Sequence, residues 1–281
     1  MKIRIQDLLT LSSFADGGRF FIKKVTGLGA ADIRTSSFLY SGRDGGQITA
    51  QTKGFRTITI EGIIGENAGT LEQHAIDRQS LTTALPIGTT FPIYLTNFAG
   101  KQYRADVNVT DFKMEYRQRG YSSDYLIQLT AGDPLFYSTD GGDVQTATVN
   151  RTLDNGGYVT PYVLPVIWDI GGAPTVVTNS GNAVVYPVIT IKDTTHNPII
   201  TNKATGEQFA INISTNDGDQ LVIDMANRTL KLNGSDVIGN RVAGSTWFGL
   251  LVGSNPIRFD TDTPTDNGYA LISWRNGVTG I

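Results

Sequence analysis

The 281-residue sequence contains no cysteine. Disulfides, thiolate metal centres and a cysteine nucleophile are excluded, so stability has to come from packing. Histidine is almost as scarce, with His74 and His196 as the only two. His74 has no second histidine or cysteine near it and reads as a structural or surface residue, while His196 falls in a turn before Pro198. An excess of one charge is also missing. Lys+Arg number 23 against 26 Asp+Glu, a formal net charge of -3 with a pI near 5.4. Broad electrostatic capture of nucleic acid needs a basic face and is not expected. No uncharged apolar run approaches the roughly 20 residues that span a bilayer. Gln6 and Asp7 interrupt the apolar residues before Leu8, Leu9 and Leu11. Neither membrane insertion nor secretion through a signal peptide is therefore expected.

What is present in quantity is glycine, 32 residues, beside a modest charged fraction of 17% and a good supply of Tyr and Phe. This suits many short strands joined by tight turns. From Tyr186 onward short strands follow one another: Tyr186, Val188, Thr190; Phe209, Ile211, Ile213; Leu221 to Ile223; Thr229 to Leu232. Asn197 and Pro198, Thr205 and Gly206, Asp217 to Asp219, and Asn233 and Gly234 separate them. The expectation is a mainly β chain of two β-sandwich-like domains, 1–138 and 139–281, with the boundary in the linker-like stretch 138–143.

Within the first domain, Phe20 to Val25 runs into Gly27, Leu28 and Gly29, but Asp32 stands where a dinucleotide-binding turn has its third glycine, so a plain strand-to-loop turn is expected. Residues 36–54, with Gly42, Arg43, Asp44, Gly45 and Gly46 at the centre, read as a long hairpin arm. Gln47, Thr49, Gln51 and Lys53 alternate with Ile48, Ala50 and Thr52, leaving little apolar surface to pack on its own body. An arm between subunits accounts for this, and an ordinary exposed hairpin is the alternative. One helix is expected over 70–85, with Thr70 as N-cap, Gln73 completing a capping box, a buried stripe of Leu71, Ala75, Leu81 and Leu85, and Pro86 ending it. Strands follow at Thr90 to Leu95, Gln102 to Thr110, Asp111 to Arg117 and Asp124 to Leu129. Arg104, Lys113, Arg117 and Arg119 form either a basic stripe or the charges of a solvated strand. In the second domain Val144 to Val149 and Tyr158 to Ile170 add strands, with Trp168 in the core.

Candidate chemistry is sparse. Asp217, Asp219 and Asp224 share one hairpin and could serve a glycosidase only if two of them faced each other across a cleft; turn capping explains them without catalysis. Asp260, Asp262 and Asp266 resemble a calcium loop in spacing, but Pro264 takes a ligand position and the late Glu is absent. No glycine elbow surrounds any serine. No catalytic residue, cofactor or metal is assigned. Trp247 and Tyr269 are candidates for stacking on a sugar, against core packing as the ordinary fate of aromatics; Trp274, between apolar neighbours, is expected in the core.

Taken together and in order, several pieces resemble the distal tail protein family of long-tailed, non-contractile bacteriophages. They are Val25 to Leu28 with Asp32 and Arg34, Gly42 to Gly46, Arg56 to Gly62 and Asp133 to Tyr137 in the first half. In the second half they are Tyr186 to Ile191, Asn197 to Ile200, Thr205 and Gly206 with Phe209 to Asn212, Asp217 to Asp224, Thr229 to Gly234, Gly244 to Trp247, and Ser273 to Arg275 before Gly280 and Ile281. The resemblance implies a tail-tube-like first domain with one flanking helix and an arm that belts a neighbour, and a galectin-like or carbohydrate-module-like second domain on the periphery. It implies a structural subunit and no enzyme: a homohexameric ring at the virion tail tip, made in the host cytoplasm. The ring would join the tail-tube protein to the tip hub protein and carry receptor-binding proteins, with DNA only passing through. Arg43, Asp44, Gln47, Thr49, Gln51 and Lys53 are then the expected subunit-interface residues. The alternative function is a carbohydrate- or receptor-binding module that uses Trp247 and Tyr269.

Overall fold

The computed structural model describes residues 1–13, 18–65, 70–117, 122–151, 173–263 and 265–281. Strands dominate, as expected, and the chain forms two compact units, 1–143 with 278–281, and 144–277. The last four residues thus belong with the first unit. Arg119, Pro264 and the expected strand Tyr158 to Ile170 with Trp168 lie outside the described residues.

The first unit contains β1 (Lys2–Ile5), β2 (Leu9–Ser12), β3 (Phe20–Thr26), β4 (Ile33–Leu39), β5 (Gly46–Lys53), β6 (Arg56–Ile64), α1 (Leu71–Thr83), β7 (Phe91–Thr96), β8 (Gln102–Tyr116), β9 (Ser123–Ala131) and β10 (Phe136–Ser138). Its main sheet runs β10, β8, β7, β1, β2, β3, β6, β9, and β9 pairs again with β8, so the sheet closes on itself. Inward positions alternate with outward ones: Ile58 and Ile60, Ile93 and Leu95, Ile127 and Leu129 are buried. Each such side chain contributes about 1.5–3 kcal/mol relative to exposure. The segments expected as two strands, Gln102 to Thr110 and Asp111 to Arg117, are one strand. Thr110 does not turn the chain; it sits in a bulge against β9 and donates its hydroxyl to the Gln128 carbonyl at 3.0 Å.

Helix α1 departs from its expected packing. Thr70 caps it, accepting the Gln73 N–H at 3.2 Å, but the Gln73 side chain donates to Asp77 at 3.1 Å instead of closing a capping box. The buried positions are His74, Asp77 and Leu81, with Leu71 turned outward. Polar partners make this face tolerable. His74 Nε2 lies 2.9 Å from Ser123 Oγ, and Arg19 donates to Asp77 at 3.0 Å. Burial and the Arg78 guanidinium push the His74 imidazole below its ordinary value, against the pull of Asp77.

The second unit has β11 (Gln145–Asn150), β12 (Thr175–Asn179), β13 (Val188–Lys192), β14 (Thr195–His196), β15 (Ile199–Asn202), β16 (Glu207–Ala210), β17 (Ser214–Thr215), β18 (Gln220–Asp224), β19 (Thr229–Leu232), β20 (Ser235–Asp236), β21 (Gly253–Asp260) and β22 (Tyr269–Trp274). They form a sheet in the order β11, β22, β13, β18, β19, β20 and another in the order β12, β21, β15, β16. Ile189, Ile191, Leu221, Ile223, Ala270 and Ile272 line the first; Val177, Ile200, Phe209, Ile257 and Phe259 line the second. Strand β12 was not foreseen, and His196 lies in a short strand instead of a turn. The turn assignments fit the backbone. Asn233 and Gly234 both take positive φ, 49° and 85°, the pair a tight hairpin of this hand requires.

Candidate assembly surface

Strands β4 and β5 form a sheet of their own, and among the described residues neither pairs with a third strand. The arm begins at Ile33, three residues earlier than the sequence suggested. Seven residues of β4 extend roughly 23 Å at about 3.3 Å per residue. A lone two-stranded hairpin is marginal in water, and this one is exposed at every position of both strands.

The register shows what the arm presents. Ile33 faces Lys53, Thr35 faces Gln51, and after a bulge that leaves Thr49 unpaired, Ser37 faces Ile48 and Leu39 faces Gly46. Side-chain alternation therefore puts Ile33, Ile48 and Leu39 on one face, and Arg34, Ser36 and Phe38 on the other. Ile33, Ile48 and Leu39 are 65%, 61% and 84% exposed. The expectation of little apolar surface thus needs correction: the arm carries an apolar stripe that is exposed to solvent. The bulge supplies it, because it shifts Ile48 onto the face of Ile33.

The expected interface residues are distributed along this arm. Arg43 lies over the Tyr40 ring at 3.9 Å and stiffens the tip. Thr49 donates to the Ser36 carbonyl at 3.0 Å, and Gln51 reaches Thr35 at 3.4 Å. Gln51 and Lys53 share the face of Ile33, whereas Gln47 is opposite Phe38 on the other. Asp44 is at the exposed tip.

The root of the arm contains the residue that the sequence reading passed over. Arg56 is 1% exposed, and all five guanidinium N–H donors are used: Nε and Nη2 to Pro134 O, Nη1 to Gly27 O and Gly29 O, Nη2 also to Thr279 O, at 2.6–2.9 Å. Its plane covers the Phe136 ring at 4.1 Å. Burial lowers its affinity for the proton, with Asp133 opposing. A signal was present: Arg56 has the same parity as Ile58 and Ile60, so alternation aims a charge inward. Gly27 is explained here too. A Cβ on it would lie 1.9 Å from the Thr57 carbonyl oxygen, so the loop that presents its carbonyl to Arg56 passes too close to β6 for any side chain.

Comparison with known proteins agrees with this architecture. Residues 180–276 match the family described as siphovirus-type tail component, C-terminal domain. The distal tail protein of Bacillus phage SPP1 is 25% identical over 237 residues, 82% of this chain and 82% of that protein. This chain is similar to distal tail proteins. The crystal structure of the SPP1 Dit (gp 19.1) protein, described as a paradigm of the hub adsorption apparatus in Gram-positive infecting phages, shares the fold. Its TM-score is 0.64 at 17% identity, over 92% of this chain and 93% of that one.

The other candidate residues have local partners. Arg104 pairs with Asp106 and Asp143, Lys113 with Asp111 and Arg117 with Asp124, so these cations sit among acids and form no uniform basic stripe. Asp219 accepts from the Asn216 N–H and the Asn233 amide, each at 2.8 Å, and these bonds hold its carboxyl below the ordinary value. Asp224 accepts from the Ala226 and Asn227 N–H groups. Both therefore fasten their own turns.

The three acids of the calcium-like spacing have separate partners: Asp260 bonds Arg258, Asp262 bonds Asn197, and Asp266 bonds His196 through its ring and its backbone N–H. Burial works to raise Asp266, but the bonds from His196 outweigh it and hold the carboxyl low. Among the described residues no three His, Asp or Glu side chains are grouped to hold a metal ion. Trp247 rests on Phe209 of the four-stranded sheet at 4.5 Å between centroids, and Tyr269 belongs to the six-stranded sheet. Trp274 is buried, as expected.

Proposed function

We propose that this phage tail protein is a scaffold acting by assembly and not by catalysis. Six copies form a ring at the tail tip that joins the tail-tube protein to the hub protein and leaves a passage for DNA. The observation that carries this reading is the arm, a two-stranded hairpin whose stripe of Ile33, Ile48 and Leu39 is left to solvent. A neighbouring copy is the cover that such a stripe calls for, since an exposed apolar strand pair is otherwise an aggregation hazard. Arg43, Asp44, Gln47, Thr49, Gln51 and Lys53 then supply the polar contacts around it. The second unit is the peripheral domain on which receptor-binding proteins dock. Trp247 rests on one sheet through Phe209 while Tyr269 belongs to the other, which favours this role over a single sugar-stacking platform.

Light scattering on the purified chain, paired with binding assays against tail-tube and hub proteins, tests the reading. The expected outcome is a six-copy mass, or one that forms on adding either partner. A single-copy mass at all concentrations, with no binding to either partner, would overturn it.

A further inference from the structure

The arm's two legs and the returning segment at Val278–Ile281 meet at one point. The outgoing leg passes Gly27, Leu28 and Gly29 before Ile33; the incoming leg ends at Gly54 and Arg56. Gly54 N–H donates to the Asp32 carbonyl at 2.6 Å and ties the legs together. Arg56, on the incoming leg, holds the carbonyls of Gly27 and Gly29 on the outgoing leg, and with the same guanidinium holds Thr279. The returning segment touches the outgoing leg a second time, through Ile281 N–H to the Leu28 carbonyl at 3.0 Å. Gly280 permits this approach: a Cβ there would lie 3.1 Å from Leu28 O and 3.3 Å from Gly29 Cα.

We infer that Val278–Ile281 is a latch that fixes the root of the arm, with Arg56 as its positioning residue. The arm does not set its own direction, because among the described residues β4 and β5 pair only with each other. Its orientation comes from the root, and there the outgoing leg is held by two hydrogen bonds from Arg56 and one from Ile281 of the returning segment. Arg56 is buried, so loss of the Thr279 carbonyl would leave a charged donor without its partner, and the latch and Arg56 stay together or open together. A lysine has three donors on a flexible stem and cannot span carbonyls from three segments. The latch extends the assembly reading in one respect only, namely that the ring requires an arm held in one direction.

The cysteine-free chain allows a single spin label at Ser41→Cys on the arm tip. Label mobility is measured below the assembly concentration in three backgrounds. Gly280→Val and Arg56→Lys should each increase tip mobility several-fold, and raise the concentration for half-assembly at least ~10-fold, equivalent to about 1.4 kcal/mol. In the unaltered protein, hydrogen exchange supplies a test free of folding effects: the Gly54 and Ile281 amides should open together. Unchanged tip mobility in a folded Gly280→Val variant, or a freely exchanging Ile281 amide beside a protected Gly54, would overturn the latch. A parent that never assembles, yet shows the mobility changes, would leave the latch standing and remove the ring.

Discussion

Two hairpins of this chain contrast sharply. In β18–β19, alternate residues Leu221, Ile223 and Leu230 are buried, Asp224 fastens the connecting turn at 225–228, and Asp219 bonds Asn233 at the open end. In β4–β5 every residue of both strands is exposed, a bulge interrupts the register, and only the root is held. Edges differ in the same sense. The free edge of β16 is covered by the chain's own segment 242–246, with Val242 N–H on Ala210 O and Thr246 N–H on Gln208 O. The arm has no such cover. A region that finishes its hydrogen bonds and packing internally serves as a stable body, while one that leaves them unfinished is open to a second molecule.

The largest expected effect lies in the first hairpin. Ile223→Ala, at a fully buried site, should cost about 2–5 kcal/mol in chemical unfolding of the second unit and leave assembly contacts of the arm intact. A cost below ~0.5 kcal/mol would mean that this sandwich is not the packed body described. Next, Thr70→Ala removes the cap of α1 and should cost about 1 kcal/mol, read from the denaturation midpoint of the first unit.

A smaller effect depends on pH. Unfolded His74 takes up its proton near pH ~6.5, and the folded residue does so lower, because burial and Arg78 disfavour the charge. Its contribution is therefore fully present above ~6.5 and is lost as pH falls through that value toward the folded one. Asp77, Arg78, Ser123 and Tyr116 surround the ring, and carboxylates elsewhere titrate as well. The informative quantity is thus the difference between the parent and His74→Gln, whose stability should fall less between pH 7.5 and 5.5. Equal slopes would assign the acid sensitivity to the carboxylates.

The smallest effect belongs to the arm. Ile48→Ser and Leu39→Ser should change the stability of the isolated chain by less than ~0.5 kcal/mol, since neither side chain is buried in it.

The same contrast explains what could be read in the sequence. The β18–β19 hairpin was legible because burial and turns are local: Leu221, Ile223, Gly218, Asn233 and Gly234 all fall within one short stretch of sequence. The arm was legible as a hairpin, but its apolar stripe was not, because a bulge at Thr49 decides which face Ile48 joins. Helix α1 was placed correctly and rotated wrongly. Leu71 and Ala75 suggested an apolar stripe, whereas Arg19 and Ser123, far away in sequence, are what make His74 and Asp77 the buried face. Arg56 is the extreme case, since its partners at Gly27, Pro134 and Thr279 span nearly the whole chain. Closure of β8 across Thr110 was hidden for a related reason, as Thr-Asp suits a turn and a bulge equally.

The central claim is that the arm's apolar stripe, and not the packed sandwich, holds copies together. Light scattering on the parent and on the Leu39→Ser/Ile48→Ser double variant, with melting curves recorded alongside, tests it most directly. Under the conditions in which the parent forms its six-copy mass, alone or with a tail partner, the variant should stay at single-copy mass, with the same melting temperature. A variant that keeps the six-copy mass would contradict it.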